Sequence, residues 1–170
     1  GGREIIKKTN AKSVDHLEAM GEEQIEVLKS GQTMPTLLPG SAFYLNNSYP
    51  PARRIIDAGL PVALATDYNP GSAPAGKMAF MVSLACIKMK MTPEEAINAS
   101  TINGAYAMDV LDTNGSIAIV KKASLTIAKP NINIKSLDDI LTEKNNILSI
   151  FLTCRHPNLN ETNKVIKAFE

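Results

Sequence analysis

An α/β fold, a parallel sheet with crossover helices, is the class this sequence predicts, and three observations predict it. Short strand-like runs recur at residues 11–16, 33–38 and 62–66. Each run ends in a polar loop, so the loops share one rim of the sheet. Each loop leads into an amphipathic segment of helical period, and strands joined through helices pair in parallel.

In chain order, residues 3–9 look like the end of a helix. Ala11 to His16 reads as a brief strand finishing on Asp15-His16. Glu22 to Ser30 reads as a helix: Glu22 and Glu23 suit its first turn, Ile25 and Leu28 share a face, and Gly31 ends it. Thr33 to Leu38 is the second strand, closed by Pro39-Gly40, with a polar loop expected over 41–50. Ala52 to Ala58 is a helix with Pro51 at its start, Ile55 and Ile56 inward and Gly59 beyond its end. Val62 to Thr66 is an apolar run suited to a strand buried on both faces. Lys77 to Met89 is a longer helix with Met78, Met81, Val82, Ala85 and Met89 along one stripe, where the methionines fill core. Thr92-Pro93-Glu94-Glu95 is a capping box that starts another helix, and a short one follows at Asn103 to Met108. Residues 115–119 and 123–128 alternate as strands of an appended β unit. The tail from Pro130 is rich in Asn, Lys and Ser and gives no fold. The domain reading is therefore 1–112 for the strand–helix units, 113–130 for the β strands and 131–170 unassigned.

A chain of 170 residues, 44% hydrophobic, can bury a core. It is shorter than a complete (β/α)8 barrel, which takes roughly 250 residues. A net charge of +1 gives no argument for nucleic acid or an acidic membrane surface. No run has the length of a transmembrane helix. Cys86 and Cys154 make neither a disulfide framework nor a zinc cluster, so a reducing, cytoplasmic setting is expected. The opening Gly1-Gly2-Arg3-Glu4 starts without Met, as a piece of a longer protein would.

Chemistry centres on Asp67 and His16. Asp67 closes a buried strand and opens into Asn69-Pro70-Gly71-Ser72, the position where α/β barrels keep catalytic groups; helix capping or holding the turn is its other reading. A carboxylate there can bind a divalent ion and take a proton from water, provided other ligands hold the ion. Backbone N–H groups around Gly71 and Ser72, with Asn69, could bind an anion, or could simply form a tight turn. His16, beside Asp15 at a strand end, could contact a substrate carbonyl, donate a proton or bind a metal, or could be held in a polar turn by its neighbour. Cys154-Arg155-His156 has too few ligands nearby for a zinc site and reads as structural.

The stretches Ser13-Val14-Asp15-His16-Leu17-Glu18, Leu37-Leu38-Pro39-Gly40 with Phe43-Tyr44-Leu45, Ala63 to Ser72 and Met91-Thr92-Pro93-Glu94-Glu95-Ala96 resemble the imidazolonepropionase family of metal-dependent amidohydrolases. The likeness runs over about residues 1–128. It implies the C-terminal part of a (β/α)8 TIM barrel, about three strand–helix units, followed by part of a small β domain that includes Thr126. It implies a hydrolase that opens the ring of 4-imidazolone-5-propanoate to N-formimidoyl-L-glutamate in histidine degradation, with one zinc or iron ion. Carried over, Asp67 is the metal-ligand aspartate and proton acceptor, and His16 is the catalytic histidine that polarises the ring carbonyl. Asn69, Gly71 and Ser72 hold substrate.

The family's His-x-His pair and its fifth-strand histidine have no counterpart in this chain. Val120 and Ser124 stand where the family tends to have Gly and Asp. The expected partners are a small-molecule substrate and the missing N-terminal half of the barrel, with a homodimer left open and no nucleic acid or membrane. The chain by itself is expected to lack metal and activity. A non-catalytic remnant, and an amidohydrolase acting on another cyclic amide, are the alternatives.

Overall fold

The computed structural model describes residues 8, 9 and 11–125. In order these form β1 (Ser13–Asp15), α1 (Glu22–Lys29), β2 (Met34–Leu37), α2 (Pro39–Tyr44), α3 (Ala52–Asp57), β3 (Ala63–Leu64), α4 (Met78–Met89), α5 (Pro93–Ser100) and α6 (Ile102–Ala107). The strands pair in the order β1-β2-β3, and both pairings are parallel. Asp15 lies opposite Thr36, and Thr36 opposite Ala63. The third strand is shorter than the apolar run that announces it. Its pairing still extends one bond further, where the Ala65 N–H donates to the Leu37 carbonyl at 3.1 Å.

Side chains alternate across a strand. Val14, Leu37 and Leu64 therefore fall on the sheet face that packs against Ile25 and Leu28 of α1, Ile55 of α3, Ala85 and Met89 of α4, and Ala96 and Ala99 of α5. Leu28, Leu37 and Ile55 have no exposed surface. Truncating such a residue costs about 2–5 kcal/mol. Ser13, Asp15, Thr36 and Ala63 fall on the opposite face.

Polar contacts fix the helices around this core. Thr92 Oγ1 accepts the Glu95 N–H at 3.2 Å, and Glu95 Oε2 accepts the Thr92 N–H at 2.8 Å. The capping box expected at the start of α5 is thus formed. The same carboxylate takes both ends of the Arg53 guanidinium, at 2.9 and 3.0 Å, which ties α3 to α5. Asn103 Nδ2 of α6 donates to the Val62 carbonyl at 2.8 Å, just before β3. The Tyr106 hydroxyl donates to the Gln32 carbonyl at 2.9 Å, just before β2. Gly59 follows α3 with φ 86°, a left-handed value that favours glycine at this helix end.

Two expectations fail. Residues 41–50 were expected to be loop throughout, but Pro39 to Tyr44 is a short helix. Pro39 sits at its first turn, where no backbone N–H is needed, and the Ala42-Phe43-Tyr44 run continues it. The strand expected at 115–119 does not form. Gly115 has φ 88°, and the chain turns, with the Lys121 N–H donating to the Ala118 carbonyl at 3.0 Å. Ile117, Ile119 and Val120 are exposed, so the alternating pattern has no sheet to join among the described residues. The second expected strand, 123–128, is irregular through Leu125, and Thr126 and the positions after it lie outside the described residues. So do Cys154 and His156. The chain divides into two compact units after Ser116, and the sheet and its helices belong to the first.

Candidate active site

Because all three strands run the same way, the segments that leave them emerge on one rim. His16 follows β1, α2 follows β2, and Asp67 follows β3 within three residues. A cleft of 460 Å³ opens on this rim, lined by His16, Glu18, Ser41, Asn47, Ser48 and Ser72 among others. The structure thus gathers His16 and Ser72 at one mouth. Ser72 Oγ in turn lies 3.3 Å from Asp67 Oδ2.

The loop behind Asp67 is built by its own side chains. Asp67 itself has φ 52°, in the left-handed region that Asp enters more readily than most residues. Asn69 Nδ2 donates to the Asp67 carbonyl at 2.6 Å and to Ser72 Oγ at 2.8 Å. Asn69 Oδ1 accepts the Gly71 and Ser72 N–H groups at 2.9 and 2.8 Å. A reciprocal pair of backbone bonds between Asn69 and Ala73, at 3.1 and 3.2 Å, closes the loop. The Gly71 and Ser72 N–H groups, which could have served an anion, are engaged with Asn69. The turn reading of Asn69-Pro70-Gly71 describes this structure, and Ser72 is the member of the set that reaches the cleft.

The turn after β1 is also strained. His16 and Leu17 have φ 71° and 72°, two consecutive non-glycine residues in the left-handed region. Leu17 packs against the core, and its carbonyl accepts the Met20 N–H at 3.0 Å. The His16 ring meets Glu18, with Nδ1 3.2 Å from Oε1. The expected partner, Asp15, instead accepts from Ser13 Oγ at 3.5 Å. Glu18 had no role assigned from sequence. Spacing did not reveal it, because the contact is made across a turn in which His16 and Leu17 are both left-handed.

Away from the cleft, on the helices, the Arg53 guanidinium, then the Thr92 N–H, hold the Glu95 carboxyl below its ordinary value. Burial, then the charges of Glu94 and Glu95, push the Cys86 thiol up, away from the reactive thiolate.

A metal does not fit on these residues alone. Among the described residues no three His, Cys, Asp or Glu side chains lie close enough to share an ion. Asp67 offers one carboxylate, and a zinc site takes three or four protein ligands.

The sequence profile of the amidohydrolase family matches residues 4–164. The chain belongs to the amidohydrolase family. The match extends well into 131–170, the tail that had resembled nothing. Within the family, imidazolonepropionase of Flavobacterium johnsoniae is 62% identical over 130 residues, covering 76% of this chain and 32% of that protein. Imidazolonepropionase of Bacillus cytotoxicus is 46% identical over 128 residues, covering 75% and 30%. This amidohydrolase chain thus spans about a third of the length of the curated relatives it matches. Among solved structures, a zinc-bound adenosine deaminase from Xanthomonas campestris superposes with a TM-score of 0.62 at 23% identity, covering 66% of this chain and 27% of that one. A guanine deaminase from E. coli gives 0.58 at 19% identity, covering 65% and 26%. These likenesses are of fold, and the parallel strands and crossover helices are part of the amidohydrolase barrel.

Proposed function

We propose that this chain forms the Asp67–His16 side of an imidazolonepropionase, the hydrolase that opens 4-imidazolone-5-propanoate to N-formimidoyl-L-glutamate in histidine degradation. The observation that carries the reading is the shared mouth: His16 and Ser72 line one cleft, and Ser72 bonds the Asp67 carboxylate. The identity of 62% to a protein of that name supports this choice of substrate.

The reaction adds water across a cyclic amide. The water oxygen bonds to the ring carbonyl carbon, the ring C–N bond breaks, and the freed nitrogen takes up the proton that the water gives up. In our assignment Asp67 takes the proton from the attacking water, and Ser72 Oγ holds its carboxylate in place. His16 sits at the carbonyl oxygen, where charge develops in the tetrahedral intermediate. Ser72 contacts substrate, while Asn69 and Gly71 keep the loop in the shape that presents it. In this reading Asp67 would be one ligand of a divalent ion, zinc or iron, whose remaining ligands this chain does not carry.

The test is a hybrid enzyme in which this chain replaces the matching segment of the Flavobacterium johnsoniae protein. Ring opening of 4-imidazolone-5-propanoate is expected, and no hydrolysis of adenosine or guanine. A folded hybrid that works on another cyclic amide and not on this one would favour the alternative amidohydrolase. A folded hybrid without any hydrolysis would favour the non-catalytic remnant.

A further inference from the structure

The contact between His16 and Glu18 carries a consequence for how the imidazole works. A carboxylate only accepts hydrogen bonds, so the ring nitrogen facing it must carry the proton. With Nδ1 3.2 Å from Glu18 Oε1, the proton belongs on Nδ1, which leaves Nε2 as the free ring atom. The burial of the pair agrees with this order. The Glu18 side chain is 26% exposed and the His16 side chain 53%, so the carboxylate is tucked behind and the ring stands forward. Both line the cleft. The left-handed backbone at His16 and Leu17 puts the two side chains on one side, and Leu17, packed in the core, pins the turn. A pair held only for surface charge would not need two strained residues, since exposed ion pairs contribute little.

We propose that Glu18 is the positioning residue for His16: it holds the Nδ1 proton, fixes the tautomer and aims Nε2 into the cleft. This rests on the hydrolase reading above for its purpose, though not for its geometry. In the neutral ring Nε2 offers a lone pair. It donates to a developing oxyanion only from the imidazolium, with Glu18 as the counter-ion.

The chain has two histidines, so ¹⁵N-histidine labelling with H156Q for assignment isolates His16. The expected spectrum has a protonated Nδ1 and a bare Nε2 in the neutral ring. E18Q keeps that tautomer, because its amide oxygen still accepts, and E18A loses it. In the hybrid enzyme E18A is expected to lower kcat about 10–100-fold, by analogy with loss of the hydrogen-bond partner of a metal-bound histidine, with KM little changed and E18Q restoring part of the loss. A bare Nδ1 in the wild type, or a tautomer indifferent to E18A, overturns the assignment whatever the activity. Should the isolated chain not give a resolved His16 signal, the same spectrum is read on the hybrid against its H16Q variant. The intact tautomer pattern in a hybrid that hydrolyses no cyclic amide would leave Glu18 in its role and remove the hydrolase reading instead.

Discussion

Ser72 Oγ stands 3.3 Å from one oxygen of Asp67 and opens onto the cleft that His16 also lines. That relationship joins the ends of β1 and β3, two strands that do not pair with each other. It gives Ser72 two duties, since its hydroxyl also lies 3.0 Å from Asn69 Oδ1. One proton cannot serve both acceptors at once, so the hydroxyl can turn toward the carboxylate or toward the loop.

Removing that hydroxyl should therefore weaken the placement of Asp67 without unmaking the loop, whose backbone bonds remain. A hydrogen bond to a charged group is worth about 1.5–3 kcal/mol, so S72A in the hybrid enzyme should lower kcat on the order of 10–100-fold. Steady-state kinetics check this. A change confined to KM would show that Ser72 serves the substrate contact alone and does not position the carboxylate.

Glu95 predicts an acid-sensitive stability. Its carboxyl is held below the ordinary 4.5, first by Arg53 and then by the Thr92 N–H. A carboxyl depressed in the folded state stabilises the fold above its unfolded value and loses that contribution as pH falls through the folded one. Urea midpoints should thus fall as pH drops below about 4.5, and E95Q should flatten that slope. An unchanged slope in E95Q would mean that another group governs the acid limb. T92A, which removes the cap while leaving Arg53 its partner, should cost about 1 kcal/mol at neutral pH.

Thr36 Oγ1 is buried with no hydrogen-bond partner among the described residues, on the sheet face away from the helices. An unsatisfied buried hydroxyl costs about 1–3 kcal/mol, so T36V should leave stability unchanged or raise it by about 1 kcal/mol. Denaturant titration decides the matter. A clear loss in T36V would show that the hydroxyl is satisfied in solution.

Gly40 has the tightest surroundings of the rim. A Cβ there would lie 2.9 Å from Met81 Sδ and 3.3 Å from the Thr66 carbonyl oxygen, one residue before Asp67. Met81 has no exposed surface into which to move. G40A should cost about 1–3 kcal/mol by overpacking and lower turnover with it, while A42G, at a position further along α2, should leave turnover in place. Thermal denaturation and turnover measured together would separate the two. A G40A protein of wild-type stability and rate would show that the rim has slack.

The three-strand frame was legible because its signals are local. Apolar runs at Val62 to Ala65, the Thr92–Glu95 capping box and Gly59 after Ile56 each act within a few residues, and all three appear where the spacing put them. Asp67 and His16 on one rim followed from strand direction alone. What escaped depended on contacts the sequence does not display. Pro39-Gly40-Ser41 reads as a turn, yet it begins a helix. Ile117 and Ile119 alternate like a strand, yet have no paired neighbour among the described residues. Glu18 meets His16 across a left-handed turn that neither His nor Leu advertises, and the bonds that Asn69 makes within its own loop are not visible in its spacing.

The most direct test of Asp67 as the proton acceptor is kcat/KM of the hybrid enzyme for 4-imidazolone-5-propanoate, compared with its D67N variant at equal metal content. The expected result is a loss of about 10²–10⁴-fold, the contribution of general acid–base catalysis. A D67N enzyme that opens the ring at the unsubstituted rate would contradict the account.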